Sequence, residues 1–242
     1  MFDTIILLTG PVEEGPLTGV LRGHNPRLDV RAAKSMADLE ALAPDLLRRA
    51  RLIGFVTDVV VPARILNALG FGAYYFHPGP PHYPGWVPAH FAIYERAGSF
   101  GATAHRMIER VDAGPIVSVE LFDIPPRASV LRLQELAFVQ LVRLFWRLAP
   151  KLAAQREPLA ELLVKWAGTK STRAMYRAMC DIPADISKDE LERRIAVFGE
   201  GHYGISQTVT LHGRVSRHAA PEGQNKIDAP GLVPSQEEVA LA

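Results

Sequence analysis

Residues 52–77 read LIGFVTDVVVPARILNALGFGAYYFH, and the organisation of the chain follows from them. Leu52-Ile53-Gly54-Phe55-Val56-Thr57 is a short, nearly continuous apolar run, and residues 71–76 form another. Runs of this length without strict alternation suit strands buried on both faces. Between them Pro62 opens a helical stretch over 63–69, in the first turn, where proline is tolerated. Strand, helix and strand at this spacing make a β-α-β unit with parallel strands, hence an open α/β sheet. In such sheets ligands bind beyond the carboxyl ends of the strands. His77 stands at one of those ends, followed by the stiff loop Pro78-Gly79-Pro80-Pro81.

The same reading extends in both directions. Residues 4–9 (TIILLT) are a buried strand closed by Gly10-Pro11. Met36, Leu39, Leu42, Leu46 and Leu47 recur with helical spacing and predict one helix over 37–51, with Arg48, Arg49 and Arg51 near its carboxyl end. Beyond His77 the pattern predicts a helix over 87–97, a strand over 101–108, a tight loop over 111–115 and a strand over 116–122. A long apolar helix follows over 131–148. Ser187 and Glu190 form a capping box for a helix over 188–198. Residues 207–217 resemble a hairpin turning at His212-Gly213, and residues 219–242 have the composition of a flexible tail.

Composition narrows the functional classes. With 242 residues, 48% of them hydrophobic, the chain can bury a substantial core. A net charge of +1 calls for neither nucleic acid nor an anionic membrane as partner. The apolar runs fall short of the roughly 18–20 residues that span a bilayer. The start MFDTIILLTG carries Asp3 instead of a positive region and reads as a strand rather than a signal peptide. The single cysteine, Cys180, allows no internal disulfide, which fits a cytoplasmic protein, and reads as a small buried side chain. The histidines are dispersed and show no metal-ligand spacing, so no metal is expected. His82 and His90 read as structural or loop-exposed. Lys165, Lys170, Arg173 and Arg177 could grip a diphosphate, but read more simply as a solvated helix face.

His77 and Asp112 together could orient a water or work on a carbonyl as general acid and base. Spacing alone leaves the alternative open, in which His77 is a satisfied strand-end histidine and Asp112 a turn former. Four ordered segments add to the pair: His77-Pro78-Gly79-Pro80-Pro81, Tyr83-Pro84-Gly85, Gly101-Ala102-Thr103-Ala104-His105, and Val111-Asp112-Ala113-Gly114-Pro115-Ile116. Together they resemble the folate-dependent formyltransferase family, with its Asn-x-His-Pro loop, proline-to-glycine turn, Gly-x-Thr-x-His strand and Asp-x-Gly-Pro loop. Asp58-Val59-Val60-Val61-Pro62 looks like the family segment that lines the pterin pocket.

The resemblance implies an α/β, Rossmann-like open twisted, mostly parallel sheet with helices on both faces, plus a small C-terminal α/β-hairpin extension. It divides the chain into a transferase domain over 1–165, a helix and hairpin extension over 166–218, and the tail. It implies transfer of a formyl group from 10-formyltetrahydrofolate, as co-substrate, to a small amine, with a nucleotide-linked amino sugar as one acceptor. His77 and Asp112 match the catalytic positions, and Thr103 and His105 the supporting strand. Val59, Val60, Pro62, Val111, Ala113 and Gly114 match the cofactor-binding segments. Tyr75 departs from the pattern, because it stands where the family carries asparagine. The phenol either substitutes for the missing amide or leaves a folate- or partner-binding protein without activity, and a 10-formyltetrahydrofolate hydrolase is a third reading. Glu13 and Glu14, after the first strand, argue against a phosphate there. Aligned on Gly85, Pro81 falls where the family has a cis proline. An apolar helix pair or the hairpin over 207–217 could mediate a homodimer.

Overall fold

The computed structural model of the chain describes residues 2–199, 202–211 and 214–217. Six strands form the main sheet: β1 (Thr4–Leu8), β2 (Asp29–Ala33), β3 (Ala50–Phe55), β4 (Ala73–His77), β5 (Ser99–Arg106) and β6 (Ile116–Asp123). Their order is β2-β1-β3-β4-β5-β6. The first three pairings are parallel and the last two antiparallel, so the sheet is mostly parallel. Every residue of β1 and β3 is buried, as their unalternating apolar runs require.

Helices cover both faces. On one, α1 (Pro11–His24) and α6 (Val130–Ala154) set Leu17, Leu21, Leu141 and Phe145 against Ile5, Leu7, Phe55 and Phe76. On the other, α2 (Met36–Glu40), α3 (Pro44–Arg49) and α4 (Ala63–Ala68) set Leu39, Leu47 and Ile65 against Ile6, Leu8, Leu52 and Ala73. Beyond the sheet lie α5 (Pro88–Tyr94), α7 (Arg173–Cys180) and α8 (Lys188–Phe198), which share a core of Phe91, Tyr176, Cys180, Val197 and Phe198. A second sheet joins β7 (Asp181–Ile182), β8 (Thr208–Leu211) and β9 (Arg214–Arg217). The β8–β9 pair is antiparallel, but the turn assigned to His212-Gly213 lies outside the described residues, as does the tail over 219–242. Among the described residues no helix is long and apolar enough to cross a membrane.

Several local expectations are corrected. The single helix over 37–51 is two short ones. Pro44 disfavours a helical conformation at Ala43, so α2 ends and α3 restarts with that proline in its first turn, while Ala50 and Arg51 pass into β3. Residues 11–24, which the Gly- and Pro-rich sequence hid, form α1 because Leu17 and Leu21 dock on the sheet. Lys165 and Lys170 lie in irregular backbone, and only Arg173 and Arg177 of that basic group are helical. The Pro80–Pro81 bond is trans, since no cis peptide occurs among the described residues. The turn is closed instead by Tyr83 N donating to Pro80 O at 2.9 Å, and then by Gly85 with φ 96°.

One buried charge ties the lower end of the sheet together. Arg51, fully buried near the start of β3, donates to Phe71 O (3.2 Å) and to Leu152 O (2.6 Å). It also reaches Arg156 O and Glu157 O at 3.5 and 3.4 Å, and lies over the ring of Phe2 at 4.8 Å. A guanidinium thus serves the otherwise orphaned carbonyls at the carboxyl end of α6, where a cation is also favoured by the helix dipole. Replacing it with the apolar Arg51→Met should leave those carbonyls unpaired. A loss of about 3 kcal/mol is expected, read as a lower urea midpoint with an unchanged m-value. A midpoint equal to the parent's would show that the carbonyls find water instead.

Candidate active site

The site grows from two neighbouring strands. In the β4–β5 pairing Tyr75 faces His105 and His77 faces Thr103. Side chains alternate along a strand, so Tyr75, His77, Thr103 and His105 share one face, opposite the face where Tyr74, Phe76 and Ala104 enter the core. Asp112 comes from the loop between β5 and β6, in a left-handed conformation (φ 48°) that aspartate tolerates better than most residues. Its carboxylate lies between the two imidazoles, with Oδ2 3.6 Å from His77 Nδ1 and Oδ1 3.3 Å from His105 Nε2. The amide of Gly85 donates to Oδ2 at 2.8 Å. His77, His105 and Asp112 are all buried.

The other nitrogen of each ring meets a backbone carbonyl. His77 Nε2 lies 3.0 Å from Tyr83 O, and His105 Nδ1 lies 3.0 Å from Arg106 O. A carbonyl can only accept, so each of these nitrogens carries a proton. A proton on either of the nitrogens that face Asp112 would point at the carboxylate. Burial lowers the His77 pKa against the opposing pull of Asp112, and so favours the neutral ring. Burial alone would raise Asp112, but the two histidines and the Gly85 amide outweigh it and hold the carboxyl at about 2. At neutral pH Asp112 is thus an ionised carboxylate between the two imidazoles.

Two further residues close the cluster. Thr103 Oγ1 donates to Gly79 O at 2.8 Å and anchors the start of the proline-rich loop. Trp166 packs edge-to-face on both rings, with centroids 5.0 Å from His105 and 5.7 Å from His77, and its indole N–H donates to Gly114 O at 2.8 Å. Trp166 was not singled out from the sequence, and it arrives on an irregular strap over 155–172 after α6. The strap is pinned to the proline-rich loop by Ala167 N donating to Pro81 O (2.9 Å) and Ser171 N donating to Pro84 O (2.9 Å), and to the Asp112 loop by the Trp166 indole.

The remaining predicted residues lie around this centre. Tyr75 sets its ring 5.7 Å from His105 and 6.4 Å from His77, but its hydroxyl donates away from them, to Thr57 O at 2.8 Å. Val59, Val60 and Pro62 follow on the loop after β3, where Val60 is 58% exposed, and Val111 on the Asp112 loop is 38% exposed. Gly114 is buried against the backbone of Arg106, and Ala113 is half-buried beside Asp112. His82 is exposed, while His90 is buried against Tyr176 and Phe198, so neither joins the site. Among the described residues no group of three His, Cys, Asp or Glu side chains could hold a metal ion.

The two shifts have the same consequence for stability. The folded forms of His77 and Asp112 bind protons less readily than the unfolded chain, so stability falls as pH drops below about 6.5 and again between about 4 and 2. Asp112 contributes about 2 kcal/mol at neutral pH that disappears in the second window. Urea midpoints across that window should therefore fall less steeply for Asp112→Asn than for the parent, and equal slopes would refute the assignment. Trp166→Ala should return the NMR-titrated His77 pKa toward its ordinary value by admitting water, whereas Trp166→Phe should hold it down.

No family model matches the chain. It is 29% identical over 150 residues, 62% of its length, to methionyl-tRNA formyltransferase of Enterococcus faecalis, and spans 46% of that relative, under half. A solved sugar N-formyltransferase from a Shewanella species superposes with a TM-score of 0.72 at 16% identity, covering 91% of this chain and 97% of that one. A Helicobacter canadensis N-formyltransferase, in complex with folinic acid and dTDP-3-aminofucose, superposes at 0.61 with 13% identity, covering 88% and 85%. In its motifs, its sequence and its fold, the chain resembles the formyltransferase family.

Proposed function

We propose that the chain is an N-formyltransferase that moves a formyl group from 10-formyltetrahydrofolate to a small amine, with a nucleotide-linked amino sugar as the leading acceptor class. The observation that carries this reading is the buried Asp112 carboxylate held between Nδ1 of His77 and Nε2 of His105. It supplies what the reaction needs from the protein. An amine that attacks a formyl carbon sheds a proton, and negative charge gathers on the formyl oxygen. His77 Nδ1 or His105 Nε2 accepts that proton, and the adjacent carboxylate stabilises the resulting imidazolium. Donation from His77 Nε2 toward the formyl oxygen replaces its contact with Tyr83 O.

The co-substrate supplies the activated formyl group, and the surroundings fit its apolar ring system. Val60 and Val111 stand exposed on the two loops flanking the polar cluster, and Val59, Pro62, Ala113 and Gly114 complete the segments that would hold it. The folinic acid of the Helicobacter neighbour supports a folate for this chain too.

A second reading, a catalytically silent folate-binding protein, is favoured by one feature. The hydroxyl of Tyr75 and the N–H of His77 are both engaged with backbone carbonyls. The two readings separate in one experiment. Purified protein should bind 5-formyltetrahydrofolate and consume 10-formyltetrahydrofolate when an amino-sugar nucleotide is added, and His77→Ala should lower the rate by about 10²–10³. Binding without turnover would leave the silent reading, and formate release without an acceptor would indicate a hydrolase. With neither binding nor turnover, the formyl-transfer assignment fails.

A further inference from the structure

The tyrosine that stands in place of asparagine fits a slot made for it. In the parallel β3–β4 pairing Tyr75 lies directly beside Gly54. A Cβ at position 54 would come within 2.8 Å of Tyr75 Cδ2 and 2.6 Å of Met107 Cε, so any larger residue would have to displace the ring or the methionine. Across this gap the phenol reaches the chain leaving β3 and donates to Thr57 O at 2.8 Å. That chain is not in a relaxed conformation. Val56 has φ 45°, a left-handed geometry that β-branched residues adopt only when their surroundings hold them there. Immediately beyond, Val59 N donates to Thr57 Oγ1 at 3.2 Å and folds the loop back on itself.

We infer that Tyr75 is a positioning residue: its hydroxyl holds the strained turn at Val56–Thr57, and thereby sets the loop over 57–62 against the site, while Gly54 admits its ring. The identity of what the loop grips, the folate co-substrate, rests on the proposed function, but the tie itself does not. Burial raises the phenol's pKa well above its ordinary value, so the group stays a donor throughout the physiological range. The exchange of asparagine for tyrosine then moves a hydrogen bond from the transfer centre to the binding loop, and leaves His77 as the donor nearest the formyl oxygen. The ring also packs edge-on against His105, at a 69° interplanar angle.

Tyr75→Phe removes the hydroxyl and keeps the ring in its slot. In the full-length protein, amide hydrogen exchange over 57–61 should quicken about tenfold, the worth of one hydrogen bond. The dissociation constant for 5-formyltetrahydrofolate, and KM for the co-substrate, should rise about tenfold, while kcat changes by less than KM does. Gly54→Ala should quicken exchange in the same segment, and should add less in a Tyr75→Ala background, where only the flexible Met107 methyl remains to be displaced. Unaltered exchange in Tyr75→Phe would overturn the inference. So would a hundredfold fall in kcat at constant KM, since that marks a group acting on the reacting atoms. If the parent fails to bind any folate, the functional reading falls, and the exchange comparison still decides whether Tyr75 holds the turn.

Discussion

A one-residue slip between β4 and β5 would carry His77 and Tyr75 away from His105 and toward the core face that holds Tyr74 and Phe76. The candidate site therefore depends on that antiparallel register, and the register is held from both sides. On the core face, Phe76 packs against Phe55 and Phe145, with ring centroids 5.8 and 5.3 Å away. On the site face, Thr103 donates to Gly79 O, and Asp112 draws the Gly85 amide and both imidazoles to a single carboxylate. Even the strap that carries Trp166 depends on the opposite end of the sheet. Arg51 fixes the exit of α6 through Arg156 O and Glu157 O, and the strap starts its return from there.

Burial sets the chemistry of the cluster by making charge costly. One charge is kept, on Asp112, because the Gly85 amide and two imidazoles surround it. A second, positive charge on His77 would be disfavoured by burial and favoured by the carboxylate 3.6 Å away. Opposing effects of this kind suit a group that takes up a proton during a reaction and gives it back. A surface His–Asp pair would lack the first effect, and a buried lone histidine the second.

His77, Asp112 and His105 were legible in the sequence because their motifs are local and ordered, and strand-end position follows from the β-α-β pattern. Trp166 was not legible, since it meets Gly114 across 52 residues from a segment without periodicity. Nor was the direction of the Tyr75 hydroxyl: a phenol beside a catalytic position reads as a donor to substrate, whereas its partner is a backbone carbonyl that no residue type announces. The sheet core was readable from apolar runs, but α1 was not, because Pro16 and three glycines mask a helix whose stability comes from docking Leu17 and Leu21. At Pro44 the error ran the other way, with two short helices sharing one apolar periodicity.

If the chain transfers a formyl group as proposed, the amino end of α1 bears on what the acceptor can be. A helix beginning at the carboxyl end of β1 offers its first-turn amides and dipole to an anion, and α/β proteins often bind phosphate there. Here that turn carries its own negative charge, with Glu13 buried and Glu14 paired to Lys34 at 3.0 Å. A phosphate at this end would face two carboxylates at close range, and the helix dipole cannot offset both. Under the proposed formyl transfer, an acceptor's anionic part is thus better matched to the β4–β6 half of the sheet. There the strap brings Lys165 and Lys170 to the rim, and Lys170 Nζ already touches the Asp112 loop at Val111 O, 3.2 Å away. On that reading the carboxylates of α1 would act as a filter, and the side of the sheet that holds the imidazoles is also the side that would tolerate a negatively charged substrate.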